Sequence, residues 1–362
     1  MKIQFLYLLV AALTTMSSVT ASSQDRVGDF SLLDQSGYFH QMSWYDDHKA
    51  IAFLVQANGD EAVEQAIPEF SRLADAYSDE KIKFFLINSM GLHNREAVQA
   101  EMDRLGVGLP VLMDDAQIIG EALILERTAE FLLFDPEEFR VIYRGKVGKE
   151  TDQALQAMVD GKQLPTRSTQ VAGTLINYAA ASAHQQQTPS YEKDVAPIIE
   201  QNCAACHRVG GIAPFAMDNY SMMLGWSPMI REVIMTKRMP PGQIDPHVGS
   251  FENDMVLTDS EAQTLLHWIV AGAPRDGSAD PLAKLTWPTS EWAFGEPDLV
   301  IDIPPQEIPA TGVLDYYNVM VDVDLDEDRW VRASQYIPGD RTVLHHTLHS
   351  IIPPGAARGG SL

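Results

Sequence analysis

The sequence predicts a multidomain protein that contains an α/β domain, an all-α domain and the start of an all-β sandwich domain, in that order. Its 362 residues exceed what one domain usually holds. Strand-like and helix-like stretches alternate first, helical periodicity alone follows, and strict alternation of apolar and polar residues comes only after Pro297. The predicted domains cover residues 24–165, 190–280 and 285–362, and residues 166–189 are predicted to be a linker.

The N-terminus has the pattern of a secretory signal peptide. Lys2 precedes an apolar run at residues 3–13, and small residues around Ala21 provide a cleavage site. We expect cleavage after Ala21, with Ser23 as the alternative, so residues 1–21 are the predicted signal peptide. The run is shorter than the ~20 residues that span a membrane, and no later stretch is suited to one. The sequence therefore predicts an exported protein of a bacterial periplasm, without a membrane span.

Charge and cysteine content restrict the partners and the class of fold. The chain has 50 acidic and 26 basic residues, which gives a formal net charge of −24. Nucleic acid and anionic membranes bind cationic patches, so neither is an expected partner. The 2 cysteines stand in a single short segment, which excludes a disulfide-stapled scaffold. A protein partner is expected to present a basic face.

The first domain is predicted from buried strands that alternate with amphipathic helices. Residues 51–55 form a continuous apolar run, which favours a buried strand, and a helical apolar stripe follows at residues 62–77. Further strands are predicted at residues 82–87, 131–134 and 141–143, and further helices at 97–105 and 151–159. This alternation indicates a mainly parallel sheet that is covered on both faces.

The composition changes between the first and second domains. Ser, Thr, Gln and Ala dominate residues 166–189, which favours a linker, although residues 171–178 are apolar enough to pack on a domain. From Tyr191 to Asp276 the pattern is helical.

The strongest chemical signal is the pentapeptide CAACH at residues 203–207. Cys203 and Cys206 lie on one face of a helical turn, where each thiol can form a thioether to a haem vinyl group. His207 then stands beside the iron as an axial ligand. A redox CxxC would belong in the α/β domain, and a zinc site would need further Cys or His ligands, so both alternatives are weaker. The motif therefore predicts one covalently bound haem c.

The second axial ligand is predicted to be Met239. Methionine commonly completes the iron coordination of electron carriers, and Met239 follows a helical stretch and precedes two prolines that fix the backbone. His247 is the alternative ligand. The other methionines of this region are expected to fill gaps around the porphyrin: Met217, Met222, Met223, Met229 and Met235.

The segments that flank the pentapeptide complete a helical module. Residues 194–199 form an amphipathic stretch that enters the cysteine pair, and TDSE at residues 258–261 is a capping box before another helix. Residues 190–276 resemble the small class I-like cytochrome c domains of bacterial multidomain proteins. This resemblance implies covalent haem at Cys203 and Cys206 and axial ligation by His207 and Met239.

The first domain resembles the thioredoxin-like redoxins. The matching pieces are GDFSLLD at residues 28–34, IAFLV at 51–55, LPVL at 109–112 and TAEFLLFD at 128–135. Redoxins place a thiolate at the start of the first helix, where the helix dipole lowers its pKa. Here that position is Asn58-Gly59-Asp60-Glu61, without sulfur, and Ala129 replaces the usual proline. We therefore expect no thiol peroxidase or disulfide exchange activity, and a docking or structural role instead.

A histidine cluster near the end of the chain suggests a second metal. His345, His346 and His349 fall in one strand-like stretch, and imidazole pairs bind copper, although a strand with surface histidines is an equally weighted alternative. With DRWVRA at residues 328–333 and IPGDR at 337–341, this stretch resembles the copper type II ascorbate-dependent monooxygenase domain. The resemblance implies that His345 and His346 bind one copper ion.

The functional hypothesis combines these signals. We expect a periplasmic c-type cytochrome that transfers single electrons to a redox partner, either another cytochrome or a copper oxygenase centre in the same chain. The last domain is expected to be incomplete, because the family's remaining copper ligands lie beyond residue 362, so copper oxygenase activity would need a longer form. The alternatives are a copper-dependent monooxygenase with a haem electron relay, and a non-redox docking or scaffold protein built on the redoxin domain.

Overall fold

The structure is a computed structural model that describes residues 26–91, 94–164, 171–242, 245, 247–249, 251–252, 254–287, 292–312, 314, 317–323, 325–340, 343–344 and 347–352. The predicted signal peptide lies outside these ranges. The chain divides into two compact units. Within the described residues, unit 1 consists of residues 26–114 and 120–176, and unit 2 of residues 115–119 and 177–352.

Unit 1 is built around one seven-stranded sheet with the strand order β2-β1-β5-β4-β3-β6-β7. The strands are β1 (Ser31–Asp34), β2 (Phe39–Gln41), β3 (Ala50–Val55), β4 (Ile82–Asn88), β5 (Val111–Met113), β6 (Glu130–Asp135) and β7 (Arg140–Lys146). The strands β3, β4, β6 and β7 confirm the sequence prediction. The short strands β1, β2 and β5 are additional to it.

The sheet is mixed, so the prediction of a mainly parallel sheet is wrong. Only β3–β4 and β4–β5 pair in parallel, whereas β1–β2, β1–β5, β3–β6 and β6–β7 pair antiparallel. A tight turn joins β6 to β7, and short connections of this kind allow antiparallel pairing only. Apolar runs show that a strand is buried on both faces, but they carry no information about its direction.

Four helices accompany the sheet: α1 (Glu61–Ala76), α2 (Arg95–Leu105), α3 (Ile118–Ala122) and α4 (Lys149–Val159). The helix α1 buries an apolar stripe, as its sequence predicts, and tolerates Pro68 in its interior. Together with α2 and α4, it packs on one face of the sheet, over residues such as Leu54 and Phe131. The opposite face carries an aromatic cluster of Phe30, Phe53, Phe85 and Phe134.

The predicted linker at 166–189 is largely structured where the structure describes it. Residues 171–176, here called the closing segment, belong to unit 1. Within this segment, Leu175 forms an antiparallel backbone bridge with Arg127. The helix α5 (Ala179–Gln186) then forms in unit 2. Alanine favours helices strongly enough to extend one through this polar stretch. The boundary between the two units, after residue 176, falls within this predicted linker.

Unit 2 contains helices in its described part up to residue 284. A π-helical turn at Tyr191–Val195 leads into α6 (Ala196–Asn202), followed by α7 (Tyr220–Met235) and α8 (Asp259–Val270). The predicted capping box opens α8, with Thr258 and Glu261 bonded to each other's backbone. The core centres on Trp268, which is fully buried, stacks on Tyr191 and donates its indole N–H to the carbonyl oxygen of Pro274 at 2.9 Å.

The predicted β domain is not seen. Among the described residues after 284, none belongs to a helix or strand, and residues 317–321, which alternate in sequence, form no ladder. Strand pairing requires neighbouring strands, and a hydrophobic alternation alone cannot supply them. The candidate copper ligands His345 and His346 lie outside the described residues. His349 is described, and its ring contacts that of Tyr336 at 5.4 Å.

Candidate functional site

Unit 1 has a thioredoxin-like fold. The parallel unit β3–α1–β4 is followed by the antiparallel strands β6 and β7 and then by α4, and the strands lie in the order β4-β3-β6-β7. This part of the predicted fold is confirmed. Two places in the molecule therefore need description as candidate sites: the start of α1 in unit 1 and the cysteine–histidine segment of unit 2.

The start of α1 carries a carboxylate where redoxins carry a thiol. Asp60 is the N-cap of α1, and its Oδ1 accepts the backbone N–H of Val63 at 3.1 Å. Its Oδ2 accepts the hydroxyl of Thr128 at 2.8 Å. Burial raises the pKa of Asp60, but hydrogen bonds from Thr174, Thr128 and the backbone outweigh it and hold the pKa below its usual range. We call Asp60, Thr128 and Thr174 the α1 cap.

The closing segment covers this cap. The backbone N–H of Thr128 donates to the carbonyl oxygen of Thr174 at 2.9 Å, and the N–H of Thr174 donates to the Thr128 hydroxyl at 2.7 Å. Gly173 allows this approach, because a Cβ atom there would lie 1.9 Å from the carbonyl oxygen of Thr128. The N–H of Ile176 donates to the carbonyl oxygen of Glu126 at 2.9 Å. The polar groups of the α1 cap are thus engaged with one another.

Ala129 stands where the redoxins carry proline, and unlike proline it has a backbone N–H that can donate a hydrogen bond. Its N–H donates to the carbonyl oxygen of Val55 at 2.8 Å, and its φ of +57° lies in the left-handed region. Such a conformation costs a non-glycine residue on the order of 1–3 kcal/mol. The strand β6 therefore begins directly after a residue in the left-handed region.

The cysteine–histidine segment in unit 2, residues 203–217, is called the Cys–His loop. It begins where α6 ends, with Cys203 at the C-cap, and the N–H of His207 donates to the carbonyl oxygen of Cys203 at 2.9 Å. This single helical turn places the two cysteines and His207 close together, as the spacing predicts. Gly211 lets the loop fold back, because a Cβ atom there would lie 2.2 Å from the carbonyl oxygen of Cys206.

His207 is oriented by one of its ring nitrogens. Nδ1 lies 3.1 Å from the carbonyl oxygen of Phe215 and donates to it, so the proton of the neutral ring sits on Nδ1. Burial lowers the pKa of His207, which favours this neutral ring. The ring also contacts that of Phe215 at 4.7 Å, and Phe215 stacks on Trp226 at 4.3 Å. Nε2 is the nitrogen left for a metal, and within the described residues it has no hydrogen-bond partner.

The two thiols of the loop are not joined in a disulfide. Burial raises the pKa of the Cys203 thiol to about 12, and the nearby Cys206 and Glu261 add to this effect. Cys203 is therefore protonated at neutral pH. The thiolate is the form that reacts in disulfide exchange, and burial disfavours it at Cys203.

The donors of the Cys–His loop fit a haem. A c-type haem needs two free thiols at this spacing and one imidazole with an available nitrogen, and Cys203, Cys206 and His207 supply them. The hydrogen bond from Nδ1 to a backbone carbonyl is the arrangement that fixes the tautomer of a metal-binding histidine. The residues present are thus compatible with the predicted cofactor.

Met239 follows the end of α7. Its backbone N–H donates to the carbonyl oxygen of Val233 at 3.2 Å, and the residue is 39% exposed. The described contacts do not join its side chain to His207. The alternative ligand His247 is exposed and lies 3.5 Å from Asp115 through Nε2.

The other methionines of unit 2 divide into two groups. Met217, Met223 and Met235 are buried, as expected for gap-filling side chains. Met217 is also tied to the site, because its N–H donates to the carbonyl oxygen of His207 at 2.8 Å. Met229 is 41% exposed and Met222 is half-buried, so the expectation holds less well for these two.

Sequence reasoning did not identify Gly211, Phe215 and Trp226 as part of this site. Phe215 contributes through its backbone carbonyl, and no side-chain pattern can reveal such a role. Gly210-Gly211, which follow the pentapeptide after two intervening residues, are a turn signal that could have pointed to the folded-back loop. Trp226 lies on α7, and only the packing of that helix brings it to Phe215.

Two further features are absent from the part of the chain that the structure describes. They contain no group of three or more His, Cys, Asp or Glu side chains that could hold a metal ion. No helix among them combines the length and the apolar character that crossing a membrane requires.

Comparisons with known proteins concern part of the chain. No protein-family model matches it, and no curated protein is similar to it. A hypothetical protein from Sinorhizobium meliloti is 24% identical, with a TM-score of 0.39, over 43% of this chain and 94% of that chain. The pneumococcal exposed lipoprotein thioredoxin from Streptococcus pneumoniae is 18% identical, with a TM-score of 0.31, over 37% and 99%. The thioredoxin domain of a thiol-disulfide oxidoreductase from Bacteroides vulgatus is 12% identical, with a TM-score of 0.31, over 34% and 89%.

Proposed function

We propose that this protein is an exported c-type cytochrome that carries one covalent haem in unit 2 and transfers single electrons. The observation that carries the proposal is the Cys–His loop, in which two unpaired thiols accompany a histidine whose Nδ1 is already bonded to Phe215. This set is complete for haem attachment and incomplete for zinc, which would need more ligands.

The residues of the loop have separate tasks. Cys203 and Cys206 would each add their S–H across a vinyl double bond, so that one C–S and one C–H bond form and no electrons are left over. The carbonyl oxygen of Phe215 holds the His207 ring, and Phe215 is held by stacking on Trp226.

Bound in this way, a haem supplies a one-electron couple whose potential depends on its axial ligands. His207 would be one ligand and Met239 the other. Met239 follows a helix end that is fixed by backbone hydrogen bonds from residues 238 and 239 to Val233. The exposed fraction of Met239 shows that its side chain is not sequestered in the core of unit 2.

Unit 1 is proposed to be a docking or structural module. It holds neither of the chain's two cysteines, and at the start of α1 a paired carboxylate takes the place of a thiolate. Electron transfer would therefore be a property of unit 2 and its redox partner. A copper ion at His345 and His346, which would receive these electrons, remains a prediction from the sequence.

The test is to express the full chain with its N-terminal segment in the periplasm of a bacterium that matures c-type cytochromes. We expect one haem per chain that survives acid–acetone extraction, and none in the C203A/C206A double variant. A full chain that folds, as judged by circular dichroism, and carries no covalent haem would overturn the proposal.

The sixth ligand is tested by two matched methionine variants. Met239 and Met229 are similarly exposed, at 39% and 41%. Met229 lies on α7, and Met239 lies shortly after the end of that helix. M239L should abolish the methionine–iron charge-transfer band of the oxidised protein, whereas M229L should retain it. Retention of the band in M239L would show that another residue binds the iron.

A further inference from the structure

Three polar side chains of unit 1 form a row of hydrogen bonds that no sequence motif predicts. Asp34 is the last residue of β1, His40 lies on β2, and Tyr45 ends the 3₁₀ turn that follows β2. Oδ2 of Asp34 lies 3.0 Å from Nε2 of His40, and the hydroxyl oxygen of Tyr45 lies 2.8 Å from Nδ1 of the same ring. We call these three residues the Asp–His–Tyr row. Both ring nitrogens of His40 are thus engaged, one by each partner.

The carboxylate fixes the direction of these hydrogen bonds. Oδ1 of Asp34 accepts the backbone N–H groups of Ser36 and Tyr38, both at 2.9 Å. Burial raises the pKa of Asp34, but hydrogen bonds from His40 and the backbone outweigh it and hold the pKa below its usual range. An ionised carboxylate only accepts hydrogen bonds, so Nε2 of His40 carries the ring proton. In the neutral ring, Nδ1 then accepts the O–H of Tyr45.

The Asp–His–Tyr row is packed against an aromatic ring and shielded from water. The side chains of Asp34 and His40 are 6% and 13% exposed, and Tyr45 is half-buried. The rings of His40 and Tyr45 both contact that of Phe85, with centroids 5.0 Å and 5.5 Å away. Nζ of Lys83 lies 5.7 Å from the centre of the Tyr45 ring. Packing on Phe85 thus holds the phenol and the imidazole in a fixed relation, next to a positive charge.

The row provides what a phenol needs to lose an electron. Burial and the charge of Asp34 raise the pKa of Tyr45, so the phenolate, which is the nucleophilic form, is disfavoured. Removal of one electron makes a phenol strongly acidic, and a base at hydrogen-bond distance from its oxygen can take the proton in the same step. His40 is such a base, and the imidazolium that it becomes is paired with the Asp34 carboxylate. The ammonium group of Lys83 disfavours an oxidised phenol that keeps its proton, because that phenol would be a cation.

We propose that Tyr45 is a redox-active tyrosine, which gives one electron to a high-potential metal oxidant and its phenolic proton to Nδ1 of His40. The O–H bond of Tyr45 breaks and an N–H bond forms on His40. The products are a neutral tyrosyl radical, an imidazolium ion and an oxidant reduced by one electron, so atoms and charge balance. A one-electron donor returns the row to its starting state by the reverse transfers. The row lies within unit 1 and does not depend on haem attachment in unit 2.

The experiment oxidises the full chain with tris(bipyridine)ruthenium(III), which a light flash generates in the presence of persulfate. Electron paramagnetic resonance detects the tyrosyl radical, and flash absorption measures how fast the ruthenium complex is reduced. Y45F should remove the most rapidly formed radical, because the phenylalanine ring lacks the hydroxyl group. Y38F, which alters a tyrosine that is 71% exposed, should retain it.

The role of His40 is tested by two matched histidine variants. H40Q should slow the formation of the radical about 10²-fold, which is the lower end of what a positioned base contributes. H48Q is the control, because the His48 ring also contacts that of Tyr45, at 5.5 Å, whereas its Nδ1 pairs with Asp47. In deuterium oxide the wild-type rate should fall, since the proton moves in the same step as the electron. A hydrogen bond with a structural role alone would not produce this effect.

Any of three results would overturn the proposal: Y45F forms the rapid radical as the wild type does, H40Q and H48Q react at equal rates, or deuterium oxide leaves the wild-type rate unchanged. Y45F keeps the ring that packs on Phe85, circular dichroism checks the fold of each variant, and the deuterium measurement needs no variant. The same radical is expected in C203A/C206A, so the outcome is independent of whether unit 2 binds haem.

Discussion

The α1 cap of unit 1 and the Cys–His loop of unit 2 are both turns at a helix end, and they use their polar groups in opposite ways. In the α1 cap, the Asp60 carboxylate, the Thr128 hydroxyl and the backbone of Thr174 are bonded to one another. In the Cys–His loop, His207 Nδ1 donates to Phe215, whereas among the described residues neither the two thiols nor His207 Nε2 has a hydrogen-bond partner. Internal hydrogen bonds thus engage the polar groups of the α1 cap.

The same comparison shows how each turn is held. Each depends on one glycine that lets the backbone approach a carbonyl oxygen: Gly173 beside Thr128 and Gly211 beside Cys206. In unit 1 the approach lets the closing segment cover the α1 cap, whereas in unit 2 it positions the residues after the pentapeptide. Replacing Gly211 in unit 2 should therefore lower both haem attachment and stability, whereas replacing Gly173 in unit 1 should lower stability alone.

The largest effect is expected when His207 is replaced. His207→Ala should abolish the axial imidazole ligand and the spectrum of a low-spin haem, because Nε2 is the nitrogen that the loop offers. The control is His247→Ala, which changes an exposed histidine and should leave the absorption spectrum unaltered. If His247→Ala alters the spectrum and His207→Ala does not, the loop is not the haem site.

The next effect concerns the closing segment. Gly173→Ala should lower the free energy of unfolding by about 1–3 kcal/mol, the usual cost of forcing a methyl group into a packed site. Gly108 is the matched control, because a Cβ atom there would meet nothing within 4 Å. Urea unfolding of the full chain, followed by a probe of unit 1, measures both. Equal stability of the two variants would mean that the closing segment is not tightly held.

Gly211→Ala should act on unit 2 with a somewhat smaller effect, since its Cβ would lie 2.2 Å from a carbonyl oxygen, compared with 1.9 Å at Gly173. We expect a lower yield of covalent haem and a loss of about 1–2 kcal/mol in stability. Gly225→Ala in α7 has open space around it and should stabilise the helix by about 0.5–1 kcal/mol. Haem per chain and thermal unfolding of both variants provide the measurement.

The smallest effect is the pH dependence of the α1 cap. Asp60→Ala should cost about 1 kcal/mol at pH 7, a typical value for an N-cap. Because the folded pKa of Asp60 is lowered, its contribution is present above the unfolded value near 3.8 and is lost as the pH falls through the folded pKa. The difference between wild type and variant should thus vanish in acid. Asp79→Ala at an exposed position should stay within about 0.5 kcal/mol.

The parts of unit 1 that could be predicted from sequence are those with long apolar signals. The strands β3, β4 and β6 are buried on both faces, so their continuous apolar runs identify them without knowledge of their neighbours. The three-residue strands β2 and β5 are too short for a periodicity to register. Strand direction depends on connections through the sheet, which explains why the mainly parallel sheet was predicted wrongly.

For the candidate sites, the sequence identified the groups but not their partners. Cys203, Cys206 and His207 are adjacent in the chain, so their proximity follows from helical spacing. The partner of His207 is a backbone carbonyl eight residues away, and the residue that carries it, Phe215, stacks on Trp226 of α7. Such contacts depend on how helices pack, which local patterns do not specify.

The two outer strands of the sheet have a consequence for the behaviour of the protein at high concentration. An open strand edge invites a second copy to add a strand, which is the first step of aggregation. β2 is only three residues long, and β7 carries Arg140, Arg144 and Lys146. Arg26 already bridges to Arg140 on the outer side of β7. The cationic side chains of β7 and the shortness of β2 thus discourage edge-to-edge association of unit 1.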